Sequence, residues 1–265
     1  MKILLSSAAT LVLAHTALAE VKVTVGEISD KRTNGKFFAG LELKLNLSGP
    51  ELAQAKGIRT AVKSATDDTG KALPEKEDKF SSGGFEELQK AFSSGFSSDK
   101  KADEFEVKLE FGNPPRAAKA IKALSGTIEL LIPQKDPAAV ITASFAKDAG
   151  KLLDNAALKA AGVELTLKAP GGKAKDTGGF GGGGENDLGY DIKDPQGKVA
   201  SVEFYDAKGG KLESNGRMSS GFGGARSVSY SFSAKPPGDA IAKFYVVTEK
   251  SVVRVPLELK DVVLP

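Results

Sequence analysis

The chain predicts an all-β protein of two successive sandwich domains, and three features carry that prediction. The first is alternation. Leu41, Leu43, Leu45 and Leu47 alternate with Glu42, Lys44 and Asn46, so one face of a strand is buried and the other solvated. The second is a block that occurs twice. Phe105, Val107, Leu109 and Phe111 run into Pro114-Pro115, then Ala117, Ala118 and Lys119, then Ile128, Leu130 and Ile132, closed by Pro133. Val228, Tyr230 and Phe232 run into Pro236-Pro237, then Ala240, Ala242 and Lys243, then residues 252–255, closed by Pro256. The third is a pair of turn sequences upstream of these blocks, Asp67-Asp68-Thr69-Gly70-Lys71 and Asp206-Ala207-Lys208-Gly209-Gly210-Lys211.

Taken in order, residues 1–19 have one basic residue, Lys2, an apolar run over 3–13 and the ending Ala17-Leu18-Ala19. This is the pattern of a secretory signal peptide, and it places the mature chain in a secreted or periplasmic compartment. No later stretch approaches the roughly 18 uninterrupted apolar residues of a membrane helix, so no transmembrane segment is expected. Residues 20–146 form the first expected domain. Strands are read over 21–28 and 37–47, with Asn34-Gly35 as the turn between them, and over 58–65. A short helical turn follows Gly49, because Pro50 suits a first helical position and Glu51 the N-terminal charge. Residues 74–104 are a polar insertion in which Phe85, Leu88 and Phe92 share a helical spacing; a packed helix and a loop both fit.

The Ala-Lys-rich residues 116–123 lie between two strands directly after two prolines and read as a helical crossover between sheets. A strand over 140–145 closes the domain, and the boundary falls near residue 147. In the second domain, 147–265, a short helix over 156–161 is capped by Asp154 or Asn155. Strands follow over 163–167 and 199–205. Residues 178–184, glycine but for Phe180, predict a flexible loop.

Composition excludes more chemistry than it suggests. The only histidine, His15, lies in the signal peptide, and the chain has no Cys and no Trp. Imidazole or thiolate metal sites, Ser-His-Asp and Cys-His nucleophiles and a disulfide framework are therefore out of reach of the mature chain. Neither a catalytic residue nor a cofactor is expected. The net charge of +3 is spread over both signs and marks no basic face for nucleic acid.

Four carboxylates are candidates for calcium, which takes hard oxygen ligands. Asp67 and Asp68 lie in the first turn sequence, where a hairpin turn with Asp bonded to its own backbone is the preferred reading. Glu185 and Asp187 follow the glycine run and cluster in sequence with Asp191 beside the expected flexible loop, and paired carboxylates are the acid-base machinery left without His and Cys. Phenylalanines flanked by Gly and Ser are either plugs over a sandwich end or exposed anchors. Phe85 is read as a plug. Phe180 and Phe222 are the candidate partner-binding residues.

The signal-peptide pattern, the paired β domains, the Asp-x-x-Gly turns and the Pro-Pro crossovers together resemble exported bacterial proteins with tandem Ig-like β-sandwich domains. The resemblance implies Greek-key sandwiches with short helical crossover turns, but carries over no site residue, because the Ig-type Cys, Trp, Cys set is absent. The functional expectation is a non-catalytic binding, scaffolding or envelope-associated module with a protein or cell-envelope polymer as partner. The alternative is a calcium-dependent carbohydrate-binding protein, or a carboxylate-based hydrolase, using the loop over 185–191.

Overall fold

The computed structural model of the chain describes residues 21–32, 39–76, 84–88, 104–170, 184–222 and 224–265. The signal-peptide reading, the Asn34-Gly35 turn, Phe92, Phe180 and all of the 178–184 loop except Gly184 lie outside the described residues.

In chain order the strands are β1 (Lys22–Lys31), β2 (Gly40–Ser48), β3 (Gly57–Asp67), β4 (Glu86–Glu87), β5 (Glu104–Phe111), β6 (Ala120–Leu131), β7 (Val140–Ser144) and β8 (Glu164–Leu167). They continue with β9 (Asp187–Lys193), β10 (Val199–Tyr205), β11 (Lys211–Leu212), β12 (Ser214–Phe222), β13 (Ala225–Phe232), β14 (Ile241–Val246) and β15 (Val252–Val263). The protein is mostly β, and its sheets are antiparallel, as the alternation predicted.

Two sheet pairs each enclose a core. In the first sandwich, β1-β2-β5 packs against β15-β6-β3-β4. The leucines of β2, Phe105, Val107, Leu109 and Phe111 of β5 and Ile121, Leu124, Ile128 and Leu130 of β6 meet in one cluster. In the second, β8-β9-β13-β12 packs against β11-β10-β14-β7. Its core is aromatic: Phe204 meets the rings of Tyr230 and Phe232 edge-on at 5.0 and 5.6 Å, and Tyr190 meets Phe244 at 5.0 Å.

Both Pro-Pro segments carry the chain from one sheet of a sandwich to the other, β5 to β6 and β13 to β14. Each is closed by the same bond, Ala118 N–H donating to Pro115 O and Ala240 N–H to Pro237 O, both at 3.0 Å. Residues 116–123 are not the helical crossover expected of them. Only a turn precedes Ala120, where β6 begins, because β6 pairs along its length with both β3 and β15 and that pairing overrides the helix propensity of Ala and Lys.

The strand pairing also divides the chain differently from the expected boundary near 147. Residues 140–144 belong to the second sandwich, where β7 pairs with β14. The C-terminal strand β15 returns to the first, pairing with β6 from Val252↔Leu131 to Val263↔Ala120. Consequently the equivalent of β6 in the second block is β14, not residues 252–255. Pro256 is tolerated there because β15 is an edge strand. The second sandwich is thus inserted between two strands that neighbour each other.

The two connections, 132–139 and 247–251, are tied together. Ile132 N–H donates to Ser251 O at 2.7 Å and Thr248 Oγ1 to Asp136 Oδ2 at 2.6 Å. The Thr248 hydroxyl beside Asp136, with the Ala138 N–H, lowers the pKa of that carboxyl. Beside this double hinge, Phe85 and Leu131 of the first sandwich and Ala200 and Tyr245 of the second form a small apolar cluster. Phe85 is therefore buried, as a plug should be, but between the sandwiches instead of over the end of one. The backbone approaches closely there: a Cβ on Gly84 would stand 2.8 Å from Gly197 O.

The expected short helix over 156–161 is present, with Asn155 as its cap: its Oδ1 accepts from Ala157 N–H and Leu158 N–H. Pro50–Gln54 forms the expected helical turn, of 3-10 type. Among the described residues no helix is long and apolar enough to cross a membrane.

Candidate functional site

The feature most unlike a packed sandwich is β12. It is the edge strand of its sheet, paired on one side with β13, and all nine of its residues are exposed. Its register with β13 assigns its faces. Ser219 and Arg217 stand opposite Val228 and Tyr230, which point into the core, and the Arg217 guanidinium lies 5.8 Å from the Tyr230 ring centre. Gly216, Met218, Ser220 and Phe222 therefore face outward, opposite Ser231, Ser229, Ser227 and Ala225. At the end of the strand Phe222 is 95% exposed. Gly221 precedes it at φ 138°, where a Cβ would strike the Ala225 carbonyl at 2.1 Å, so the hairpin tip requires glycine. Phe222 stands out in the sequence but β12 does not, because a run of Ser, Asn and Gly has no apolar alternation to read.

The other candidates fall apart from it and from one another. Asp67 ends β3 in the first sandwich and is 1% exposed. Its Oδ1 accepts from Thr69 N–H and Oγ1 and from Lys71 N–H, at 2.8, 2.7 and 3.0 Å. Burial opposes the charged form, but the bonds from Thr69 and Lys71 outweigh it and lower the pKa. Asp68 accepts from Lys119 N–H at 3.0 Å. Both carboxylates thus hold the turn and crossover, as the hairpin reading had it, although Asp67 Oδ2 is buried with no hydrogen-bond partner.

Glu185 and Asp187 lie in the second sandwich. Asp187 accepts from Gly184 N–H at 3.0 Å, and Glu185 reaches Lys235 at 3.9 Å. Asp191, 3.4 Å from Lys168, shares β9 with Asp187. Four residues of extended strand separate their Cα atoms by about 13 Å. The carboxyl pairs of glycosidases work at roughly 5 to 9.5 Å. Among the described residues no three His, Cys, Asp or Glu side chains are grouped to hold a metal ion.

A buried ionisable cluster went unnoticed in the sequence. Glu203 on β10 is 6% exposed. Its Oε1 accepts from Lys56 of the first sandwich at 2.8 Å and lies 3.4 Å from Lys211; its Oε2 accepts from Tyr205 at 2.8 Å and, closer still, from Tyr245. Burial raises the Glu203 pKa, yet the bonds from Lys56, Tyr245 and Tyr205 prevail and take it down to about 2. Burial and the facing carboxylate push Tyr245 far up. No signal in the sequence marks this cluster; only in the fold are residues 200–204 of β10 buried on both faces, which a sheet with one solvated face does not show. Beside Glu203, a cavity of about 20 Å³ lined by Glu87, Lys211 and Tyr230 has room for one water and not for a substrate. The cluster joins the sandwiches.

Comparison of the chain with protein-family models, with curated proteins and with solved structures finds no match.

Proposed function

We propose that this is an exported, non-catalytic binding and scaffolding module of the cell envelope, built of two related Ig-like sandwiches and making contact through the β12–β13 hairpin. The observation that carries the reading is an exposed nine-residue edge strand ending in the fully presented ring of Phe222. A large apolar side chain that packs on none of the described residues is placed to pack on something else. Support for the related sandwiches comes from the matched crossover bonds at Ala118 and Ala240 and from the matched turns after β3 and β10. The positioning of Asp187 and Asp191 along a strand argues against the hydrolase alternative. The experiment is co-sedimentation of the purified chain with the envelope fraction of the producing cell, comparing wild type with Phe222→Ser. The bound fraction is expected to fall several-fold in F222S with melting temperature unchanged, and equal binding by both would reject the hairpin as the contact surface.

A further inference from the structure

The edges of the four sheets are not alike. Edge strands β4, β7, β8 and β11 have five residues or fewer. Edge strand β1 carries Lys22, Glu27, Asp30 and Lys31 and a bulge between Val25 and Ile28; β5 carries Glu104, Glu106, Lys108 and Glu110; β15 carries Pro256 and four charged residues. Charge, bulges, proline and shortness are the devices that keep strand edges from pairing with other chains. Edge strand β12 has one charge, Arg217, no proline, and a regular pairing run from Gly216 to Phe222 beyond its bulge. Among the described residues it is the long edge that lacks these devices.

We infer that β12 is a self-association edge: two copies of this chain pair their β12 strands antiparallel about a two-fold axis at Ser219, fusing two four-stranded sheets into one of eight. The inference rests on the reading of the β12–β13 hairpin as a contact surface and names its partner. The sequence of β12 fits its own reverse. In this register Phe222 falls opposite Gly216 of the second copy, Met218 opposite Ser220 and Arg217 opposite Gly221. Each opposed pair shares a face, as antiparallel pairing demands. The exposed ring of each Phe222 gains a glycine to lie across, the aromatic-over-glycine arrangement that stabilises otherwise weak glycine positions in sheets. No like charges meet, since each arginine faces the glycine that the hairpin tip requires. Strand pairing of this length lies at the small end of specific interfaces, so the dimer is weak and concentration-dependent.

The chain has no cysteine, so one introduced thiol reports the geometry directly. Opposed Cα atoms in antiparallel strands stand about 4.5 to 5.5 Å apart, within disulfide range. In the full chain Ser219→Cys, on the two-fold axis, is expected to crosslink under mild oxidation at least tenfold faster than Val263→Cys, an exposed position on β15. Sedimentation of the unmodified chain should show mass rising above that of one copy with concentration, and Ser219→Lys, which sets two ammonium groups face to face, should abolish the rise. Equal crosslinking of the two cysteine variants, or a monomer at every concentration, would overturn the inference. If F222S still loses envelope binding while S219C crosslinks no faster than V263C, the contact surface stands and self-pairing fails. If S219C crosslinks while F222S binds the envelope normally, self-pairing stands and the envelope contact fails.

Discussion

Glu203 shows how a single side chain links two folded units. Its carboxylate has partners from β10, from β14 and, through Lys56, from the other sandwich. With a folded pKa of about 2 against an ordinary 4.5, its stabilisation is complete above the unfolded value and is lost as pH falls from 4.5 to about 2. The full contribution is about 3 kcal/mol. Acid melts of wild type should therefore lose stability through that interval more steeply than those of Glu203→Gln, which should already be weakened by roughly 2 kcal/mol at neutral pH. Parallel pH profiles for the two proteins would show that the cluster does not couple to folding. Nothing in the sequence near Glu203 announces this role, because its partners Lys56 and Tyr245 lie far along the chain in both directions.

At the scale of the element, the turns were the most legible part of the chain, since Asp-x-x-Gly encodes its own geometry. After β3 and after β10 the same four bonds recur. The Asp N–H donates to the carbonyl four residues on, its own carbonyl accepts from the N–H three on, and its Oδ1 accepts from the N–H groups two and four on. Gly70 and Gly209 supply φ of 82° and 89°. Asp67 is buried and Asp206 is not, so Asp67→Ala should lower the melting temperature by a few degrees more than Asp206→Ala, each measured by thermal unfolding. Strands with apolar alternation, β2, β5 and β8, were equally plain. Less legible were β6, whose Ala-Lys start favours helix locally, and β12, whose Ser and Gly residues match no period. In both cases pairing with a neighbouring strand, a contact remote in sequence, settles the conformation.

Across the whole molecule, the feature that sequence order concealed is the return of β15. Adjacency suggested that residues 252–265 complete the nearer sandwich, yet β6 offers a long edge that β15 covers strand to strand. Removing residues 252–265 should therefore damage the distant sandwich and spare the near one. Calorimetry of the truncated chain is expected to retain one cooperative transition, for residues 140–250, and to lose or greatly lower the other. Loss of the 140–250 transition instead would show that the two sandwiches fold only together.

Interruption of a neighbouring strand pair also sets an order of events in time. As synthesis proceeds from the N-terminus, every strand from β7 to β14 is complete before β15 exists. The inner unit can therefore reach its native state while the outer one still shows an uncovered β6. Covering β6 then waits for β15, whose partner is emitted more than a hundred residues earlier. A contact of such long sequence separation is slow to form, and the open edge is exposed to other chains until it does.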